Sequence, residues 1–266
     1  MNKNIDYLQI NRKSWNNRVE THMKSAFYDL EGFLKGNTSL KSIELELLGD
    51  ITNKDVLHLQ CHFGQDSISL ARMGANVTGI DLSDLAIAKA NELALQCNVA
   101  ANFVCSDVYE LPNHLSGQFD LVFASYGTIG WLPDLKRWAN TIDHFLKPGG
   151  QFILVEFHPV VWIFDDNFES IVYNYFNTGA IMENESGTYA NKEANIQQDF
   201  VMWNHSLDAV IGSLLTHNLQ LTHFQEFNYS PYPCFNQVIE YESGKYKIKH
   251  LEDKIPMVFS LQVLKP

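Results

Sequence analysis

Long hydrophobic runs are missing from this sequence of 266 residues. No stretch approaches the roughly eighteen consecutive apolar residues that indicate a membrane-spanning helix. The segment Met1–Asp6 also lacks the basic end followed by an apolar stretch that a secretory signal requires. We therefore expect no membrane partner, and we expect the protein in the cytoplasm.

Cysteine is scarce as well, and the four that are present form no Cys-x-x-Cys pair. The ten histidines include no His-Glu-x-x-His spacing, the arrangement of a common zinc site. Without a secretory signal, the cysteines are expected to be free thiols rather than a disulfide framework or metal ligands. We expect no metal site.

Positive charge is outnumbered, since 19 Lys and Arg residues stand against 31 Asp and Glu residues, for a formal net charge of -12. The basic residues form no cluster along the chain. Nucleic-acid binding usually requires a basic face, so we expect no nucleic-acid partner. Hydrophobic residues make up 45% of the chain, which is enough for a sizeable core.

Short apolar segments alternate with helical patterns from residue 55 onward. Strands that are separated by helices pair in parallel through right-handed crossovers, so this half predicts an α/β fold. The predicted strands cover residues 56–59, 76–80, 102–105, 119–124 and 151–157, with a tight turn at 147–150.

The remaining segments contain no internal repeat and no linker, so we predict a single domain over residues 1–266. Residues 160–198 are rich in aromatics and Asn and show no clear periodicity. The predicted parts are a helical lid at 1–30, a ligand-binding core at 50–158, an insertion at 159–205, and a C-terminal helix with antiparallel strands, including a hairpin at 240–248, at 206–266.

Polar features stand at the carboxyl ends of three predicted strands, where open parallel sheets bind ligands. The loop Gln60–Gly64 precedes a helix start, whose free N–H groups face a ligand. Asp81 can accept two hydrogen bonds from the vicinal hydroxyls of a ribose, and Asp107 can accept one from an adenine amino group. Helix capping explains either carboxylate alone equally well, but it explains the order and spacing of all three features poorly.

Five segments resemble the class I S-adenosylmethionine (SAM)-dependent methyltransferases. The resemblance covers residues 50–158 and continues more loosely to the C-terminus. It implies SAM as cofactor, S-adenosylhomocysteine (SAH) as product, and a Rossmann-like, mostly parallel seven-stranded sheet with helices on both faces. The sequence pattern adds an N-terminal helical lid and a C-terminal insertion with a hairpin to the predicted fold. The matching segments are 56–64, 77–81, 106–108, 119–122 and 146–150.

The resemblance assigns roles to individual residues. It implies that Asp81 holds the ribose, Asp107 the adenine amino group, and the backbone of Val108 an adenine ring nitrogen. The methionine end of SAM would lie over residues 60–64 and against Ser125 and Tyr126. Together with Trp15 of the N-terminal helix, the predicted cofactor-binding residues are Gln60, Cys61, His62, Gly64, Gln65, Asp81, Leu82, Asp107, Val108 and Ser125.

The loop after the first strand departs from the family pattern Asp-x-Gly-x-Gly-x-Gly. His58, Gln60, His62 and Gly64 hold these positions, so the acid and two of the glycines are replaced. A Cβ at positions 60 and 62 narrows the space for a ligand and restricts the backbone angles. The stretch 58–66 resembles a branch of small-molecule methyltransferases in which the polar side chains of this loop would replace the missing contacts. The alternative is that the loop has lost its affinity for SAM.

Two other functions fit a sheet of this kind. A dinucleotide oxidoreductase would carry the fingerprint Gly-x-Gly-x-x-Gly, whereas this loop contains Gly64 alone. A non-catalytic binding module would keep Asp81 and Asp107 but would lack an acceptor pocket. The aromatic and glycine-rich segment 125–131 favours an enzyme over such a module.

Methyl transfer to an amine or a hydroxyl also requires removal of a proton from the acceptor. His158 directly follows the fifth predicted strand and titrates near neutral pH, and Tyr126 follows the fourth. We predict both as catalytic residues. For His158, a structural hydrogen bond that steadies the turn at Pro159 is an equally good interpretation.

Aromatic residues in two segments predict the surroundings of the acceptor. Residues 8–28 carry aromatic side chains that can cover a sulfonium, since aromatic faces attract cations, and we predict that they form a lid. An ordinary packing helix is the alternative. The insertion predicts a pocket for a compact apolar or cationic small molecule, or alternatively a homodimer interface. Its aromatic residues are Trp162, Phe164, Tyr173, Tyr175, Phe176 and Trp203.

Overall fold

The computed structural model describes residues 6–266 and contains one large sheet with two separate hairpins. Residues 1–5 of the predicted lid lie outside this described part. The strands are β1 (Asp55–Leu59), β2 (Asn76–Asp81), β3 (Asn102–Cys105), β4 (Phe119–Ser125), β5 (Leu146–Phe157), β6 (Ile181–Ser186), β7 (Gln197–Met202), β8 (Gln220–Phe227), β9 (Val238–Glu242), β10 (Lys245–Ile248) and β11 (Val258–Leu264).

The large sheet has seven strands in the order β3-β2-β1-β4-β5-β11-β8. The first five of these pair in parallel, whereas β11 is antiparallel to both β5 and β8. The chain runs outward from β1 through β2 to β3 and then returns to place β4 on the other side of β1. The loops after β1 and β4 therefore diverge at a topological switch point, where such sheets bind ligands. The predicted fold class is confirmed.

The helices cover both faces of the sheet and its carboxyl edge. Side-chain caps define several starts; for example, Ser83 Oγ accepts a hydrogen bond from Ala86 N at 3.0 Å. None of the helices within residues 6–266 has the length and apolar character needed to cross a membrane. They are α1 (Tyr7–Lys24), α2 (Leu30–Leu34), α3 (Ser42–Leu48), α4 (Gln65–Arg72), α5 (Asp84–Gln96), α6 (Leu135–Phe145) and α7 (Leu207–Leu215).

The core consists of separate layers on the two faces of the sheet. Leu57 on β1 packs in one layer and Val56 in the other, and both are completely buried. The central strands are therefore apolar on both faces, as expected for parallel strands covered by helices. On α6, the fully buried Trp138 contacts Phe152 with ring centroids 5.4 Å apart. This packing fixes the strand ends that carry the polar residues.

Helix α1 lies across the carboxyl edge of the sheet and is held by polar side chains. Asn11 donates to the carbonyl of Val201 and accepts from its N–H, each at 2.8 Å, which joins α1 to β7. Asn16 Oδ1 accepts from Ser83 Oγ at 2.6 Å, which joins α1 to the start of α5. These contacts position α1 over the loops that follow β1 and β2.

Two local predictions differ from the structure. The insertion contains the hairpin β6–β7, although its sequence shows no clear periodicity. The half-buried positions on β6 hold Ile181, Glu183 and Glu185, so the apolar alternation of a typical strand is absent. The predicted turn at 147–150 forms the irregular beginning of β5, where Gly149 has a positive φ of 78°.

Candidate functional site

A cavity of about 850 Å³ opens at the carboxyl ends of the parallel strands. Its lining comes from the loops after β1 to β5, from α1 and from the insertion. All of the residues predicted to bind the cofactor reach it, although they come from distant parts of the chain. These are Trp15, Gln60, Cys61, His62, Gly64, Gln65, Asp81, Leu82, Asp107, Val108 and Ser125.

The loop after β1 has the left-handed backbone conformation of a glycine-rich turn, although Gln60 and His62 replace two of the three glycines of the family pattern. Gln60 and His62 have positive φ values of 54° and 50°, and Gly64 has a φ of 81°. A left-handed conformation costs a non-glycine residue about 1–2 kcal/mol, so surrounding bonds must hold it. Gln60 Nε2 donates to the carbonyl of Thr128 at 2.9 Å. Only Gly64 cannot accept a side chain, because an added Cβ would lie 2.7 Å from Phe103.

Asp81 links the loop after β1 to the start of α5. One of its carboxylate oxygens accepts from the N–H of His62 and the other from the N–H of Ser83, each at 2.8 Å. Burial raises the pKa of Asp81 to about 6. Each oxygen retains a further acceptor position. The arrangement is therefore suited to hold two adjacent hydroxyl groups in the cavity.

Asp107 lies at the same carboxyl edge of the sheet as Asp81, in the loop after β3, which is the strand next to β2. Its Oδ1 accepts from the N–H of Tyr109 at 3.3 Å, and burial raises the pKa of the carboxyl group. Val108 beside it is buried and lines the cavity. Asp107 and Val108 therefore offer an acceptor and a backbone edge next to each other, as recognition of a purine requires.

A buried arginine on α1 lines the cavity and was not predicted. Arg18 is 2% exposed, and its guanidinium carbon lies 5.3 Å from the ring centroid of Trp15 and 5.7 Å from that of Trp131. Its Nη2 donates to Glu185 Oε2 at 2.9 Å. In the sequence, Arg18 resembles an ordinary surface residue of a polar helix, so no local signal indicates its burial.

His22 of α1 contacts His62 of the loop after β1. His22 Nδ1 lies 2.9 Å from His62 Nε2, and burial lowers their pKa values to about 2 and about 3 respectively. Both rings are therefore neutral near pH 7 and share one hydrogen bond. Within residues 6–266, His62 Nδ1 and Gln60 Oε1 are buried atoms without a hydrogen-bond partner. The loop after β1 thus presents unsatisfied polar atoms next to the cavity.

The far end of the cavity is formed by a group of rings that we call the aromatic wall: Tyr126, Phe157, Trp162, Tyr232 and Phe235. Tyr126 lies 5.1 Å from Tyr232 and 5.5 Å from Phe157 between ring centroids. Phe157 lies 5.0 Å from Phe235 and 5.8 Å from Trp162. These contacts make the aromatic wall one continuous surface.

Two acidic residues accompany the aromatic wall. Tyr126 Oη donates to Glu44 Oε2 at 2.9 Å, and Ser125 Oγ donates to Asp66 Oδ2 at 3.2 Å. Burial, followed by the negative charge of Asp66, raises the pKa of Glu44 to about 7. Glu44 was not predicted, because an acidic residue inside the polar helix α3 is typical of a surface position. The predicted catalytic residue Tyr126 therefore lies in the cavity, hydrogen-bonded to a carboxyl group that titrates near neutrality.

The other predicted catalytic residue, His158, does not line the cavity. Its Nδ1 accepts from the N–H of Val160 at 3.1 Å, and its Nε2 lies 3.0 Å from Glu226 Oε1. The ring packs against Phe259, toward β8 and β11. The structure therefore places the ring outside the cavity lining, where it caps the turn at Pro159, and does not bring it together with Tyr126.

Trp15 provides a test of whether α1 acts as a lid. Its ring lies 5.2 Å from that of His62 and lines the cavity, so Trp15→Ala removes part of the roof over the loop after β1. We expect the variant to bind SAH about tenfold more weakly, as measured by calorimetry. The matched control is Lys13→Ala, an exposed position on the same helix. Unchanged affinity in Trp15→Ala would make α1 an ordinary packing helix.

Glu44 gives an expected pH dependence of stability. Its folded-state pKa of about 7 lies above its ordinary value of 4.5, so the folded state binds the proton more tightly than the unfolded chain does. Stability contributed by this group is therefore lost as the pH rises between these values. Glu44→Gln removes that loss, and the variant should gain about 2 kcal/mol over the parent between about pH 5 and about pH 7.

The measurement is urea unfolding of both proteins across this pH interval. Glu46→Gln, an exposed position on α3, is the control and should differ from the parent by a constant amount. A difference between Glu44→Gln and the parent that stays constant with pH would show that Glu44 does not titrate in this interval.

Comparison with known proteins agrees with this geometry. Residues 56–150 match a family model described as a methyltransferase domain. A ubiquinone biosynthesis O-methyltransferase from Erwinia tasmaniensis is 31% identical over 131 residues, which is 48% of this chain and 54% of that protein. An uncharacterised methyltransferase from Synechocystis sp. is 34% identical over 131 residues, or 48% and 59% of the two chains. The chain thus spans little more than half the length of these curated relatives.

Solved structures agree on the fold. The geranyl diphosphate C-methyltransferase from Streptomyces coelicolor, in complex with Mg²⁺, geranyl diphosphate and SAH, has a TM-score of 0.62 at 13% identity, over 99% of each chain. A SAM-dependent methyltransferase from Mesorhizobium loti has a TM-score of 0.58 at 18% identity, over 87% of this chain and 99% of that one. The resemblance predicted from the sequence is confirmed: the chain contains a methyltransferase domain, and its sheet has the fold of the class I SAM-dependent methyltransferases.

Proposed function

We propose that this protein transfers a methyl group from SAM to a small-molecule acceptor. The observation that carries the proposal is the continuity of the cavity. One end gathers every residue predicted to bind the cofactor, and the other end is the aromatic wall, with Asp66 in the lining and Glu44 buried behind Tyr126. Its volume of about 850 Å³ lies at the upper end of the range of about 300–1,000 Å³ typical of ligand pockets.

The residues of the cavity fit SAM. Asp81 would hold the ribose, and Asp107 and Val108 would hold the adenine. The buried atoms without partners, His62 Nδ1 and Gln60 Oε1, lie in the loop assigned to the methionine end, where a bound amino acid group would satisfy them. SAM supplies a methyl group already activated on a sulfonium.

The chain's own contribution is alignment and exclusion of water. Helix α1 covers the cofactor end through Trp15, and Arg18 places a guanidinium beside that ring. Glu156 accepts four hydrogen bonds from the loop after β4 and so holds that loop in position, and Tyr126 at its start lines the cavity. Tyr126 and Glu44 together would take a proton from an acceptor, which replaces the role predicted for His158.

The acceptor end favours a small molecule. The insertion and the segment around Phe235 line the cavity beside the aromatic wall, so the acceptor would bind in a concave pocket of the size that suits a small molecule. The net charge of -12 opposes binding of nucleic acid. The curated relatives from Erwinia and Synechocystis are methyltransferases, and the first is named for the biosynthesis of a small molecule. A homodimer formed through exposed aromatic residues of the insertion, such as Phe176, is the remaining alternative role for that segment.

We also propose a cytoplasmic location. All four cysteines are free, and Cys61 is buried beside the cavity. Free thiols are typical of a reducing compartment.

The test is a transfer assay with SAM labelled in its methyl group. A metabolite extract and, separately, the protein and RNA fractions of the same cells serve as acceptors. Label in the metabolite fraction is the expected result. Label only in the macromolecular fractions would overturn the small-molecule acceptor. Label in none of them would favour the non-catalytic binding module.

A further inference from the structure

We propose that the acceptor is a compact organic cation, a primary or secondary amine, which binds with its ammonium group between the aromatic wall and Asp66 and is methylated on nitrogen. The inference rests on the proposed function and extends it to the charge of the acceptor and to the atom that receives the methyl group.

The charge of the cavity is the first observation. Nine acidic side chains line it, against the three basic side chains of Arg18, Lys41 and Lys192. Each basic group already has a partner within the protein. Arg18 is paired with Glu185 at 2.9 Å, and Lys41 Nζ lies 4.8 Å from the ring centroid of Tyr232. Lys192 Nζ donates to the side chain of Asn236. Only Arg18 is paired with an acid, but the acidic side chains of the lining outnumber the basic ones three to one, so a carboxylate or phosphate acceptor would face a net negative surface.

The aromatic wall is the second observation. Its rings present π faces and edges around one space, and such faces attract a cation most strongly when water is excluded. Tyr126 and Tyr232 meet nearly at right angles, with an interplanar angle of 79°, and Phe157 and Phe235 meet at 77°. Rings set at such angles enclose a group from several sides. An aliphatic or aryl body with an ammonium head fits this surface better than an anion does.

The position of Asp66 is the third observation. Asp66 lies in the first turn of α4, lines the cavity, and accepts from Ser125 Oγ through Oδ2. Ser125 ends β4, directly before Tyr126, so the carboxylate faces the junction of the cofactor end and the aromatic wall. An ammonium bound there gains a charge-assisted hydrogen bond at the point where methyl transfer must occur. Among the acidic residues of the cavity, Asp81 is instead committed to the cofactor end.

An ammonium has no free electron pair, so it first gives one proton to the Tyr126 hydroxyl oxygen as the Tyr126 proton passes to the carboxylate of Glu44. The freed nitrogen pair then forms the bond to the methyl carbon. The carbon–sulfur bond breaks, its electron pair remains on sulfur, and the sulfonium becomes a neutral thioether. The product is the N-methyl ammonium ion, and the proton on Glu44 returns to water in the cavity through the Tyr126 hydroxyl.

The experiment compares three probes of nearly equal shape that differ in charge: phenethylamine, phenethyl alcohol and phenylacetate. Each is titrated by calorimetry into the full chain saturated with SAH. We expect phenethylamine to bind at least tenfold more tightly than phenylacetate, with phenethyl alcohol between them. With labelled SAM in place of SAH, label should appear on phenethylamine and not on phenethyl alcohol.

Two variants test whether Asp66 causes the preference for phenethylamine over phenylacetate. Asp66→Asn should lose most of the preference for phenethylamine, whereas Asp166→Asn, which removes the same charge from an exposed position at the rim, should retain it. Thermal unfolding confirms that both variants fold. A parent that binds the three probes equally, or does not bind phenethylamine at millimolar concentration, overturns the inference. So does an Asp66→Asn variant with an unchanged preference.

The same titrations separate this inference from the function on which it rests. SAH binding is measured first. Failure to bind SAH would overturn the proposed function and the inference together. Normal SAH binding with tighter binding of phenylacetate, or transfer of label to phenethyl alcohol alone, would overturn the amine acceptor and leave methyl transfer in place.

Discussion

Replacing Asp81 by alanine is expected to weaken the binding of both SAM and SAH by about 2–3 kcal/mol, or roughly 30- to 150-fold. The carboxylate would accept two charge-assisted hydrogen bonds from the ribose. It also holds the N–H of His62 at 2.8 Å and therefore shapes the loop under the methionine end. Because the variant loses both contributions, we expect a larger loss of binding free energy than the removal of one ordinary polar contact would cause.

Calorimetric titration of parent and variant with SAH measures the effect directly. Asp50→Ala is the control, because Asp50 is exposed and lies before β1, at the opposite edge of the sheet. The control should bind as the parent does. Equal affinity of Asp81→Ala and parent would contradict the assignment of Asp81 to the ribose.

Replacing Glu156 by alanine is expected to destabilise the folded protein by about 3–5 kcal/mol. Glu156 is 1% exposed and its carboxylate accepts five hydrogen bonds. Four of the donors are backbone N–H groups, those of Gly127, Thr128, Ile129 and Phe157, which alanine would leave unsatisfied. The loop after β4 would lose the group that organises it.

Urea unfolding gives the free-energy difference, and Glu46→Ala on the exposed face of α3 serves as the control, with an expected change within about 0.5 kcal/mol. A loss below about 1 kcal/mol for Glu156→Ala would show that water or a shifted backbone replaces the carboxylate. The loop would then be less dependent on this residue than the hydrogen bonds indicate.

The parallel half of the fold could be predicted because its signals are local. Each strand from β1 to β4 is a short apolar run beside a helix with its own start signal, and Asp81 and Asp107 follow directly from the strand ends. The hairpin β6–β7 could not be predicted in the same way. Residues such as Glu183 and Glu185 occupy its inward positions and line the cavity, so the usual contrast between apolar and polar positions is absent.

The candidate site likewise contains residues that could be predicted from the sequence and residues that could not. The loop after β1 departs from the family sequence at Gln60 and His62, yet its backbone retains positive φ at both. The resemblance could therefore be carried over to this loop position by position. Glu44 and Arg18 could not be predicted, because their burial depends on which elements pack above them. The orientation of His158 could not be predicted for a related reason: its position in the chain fixes the strand end but not the side of the sheet toward which the ring turns.

The central claim is that the cavity binds SAM, and one titration tests it most directly. The full chain is titrated by calorimetry with SAH and, in a parallel experiment, with NAD. The proposed site predicts that SAH binds with a dissociation constant in the micromolar range, about -8 kcal/mol, and that NAD produces no binding heat. Binding of NAD without binding of SAH would contradict the claim and favour the dinucleotide oxidoreductase.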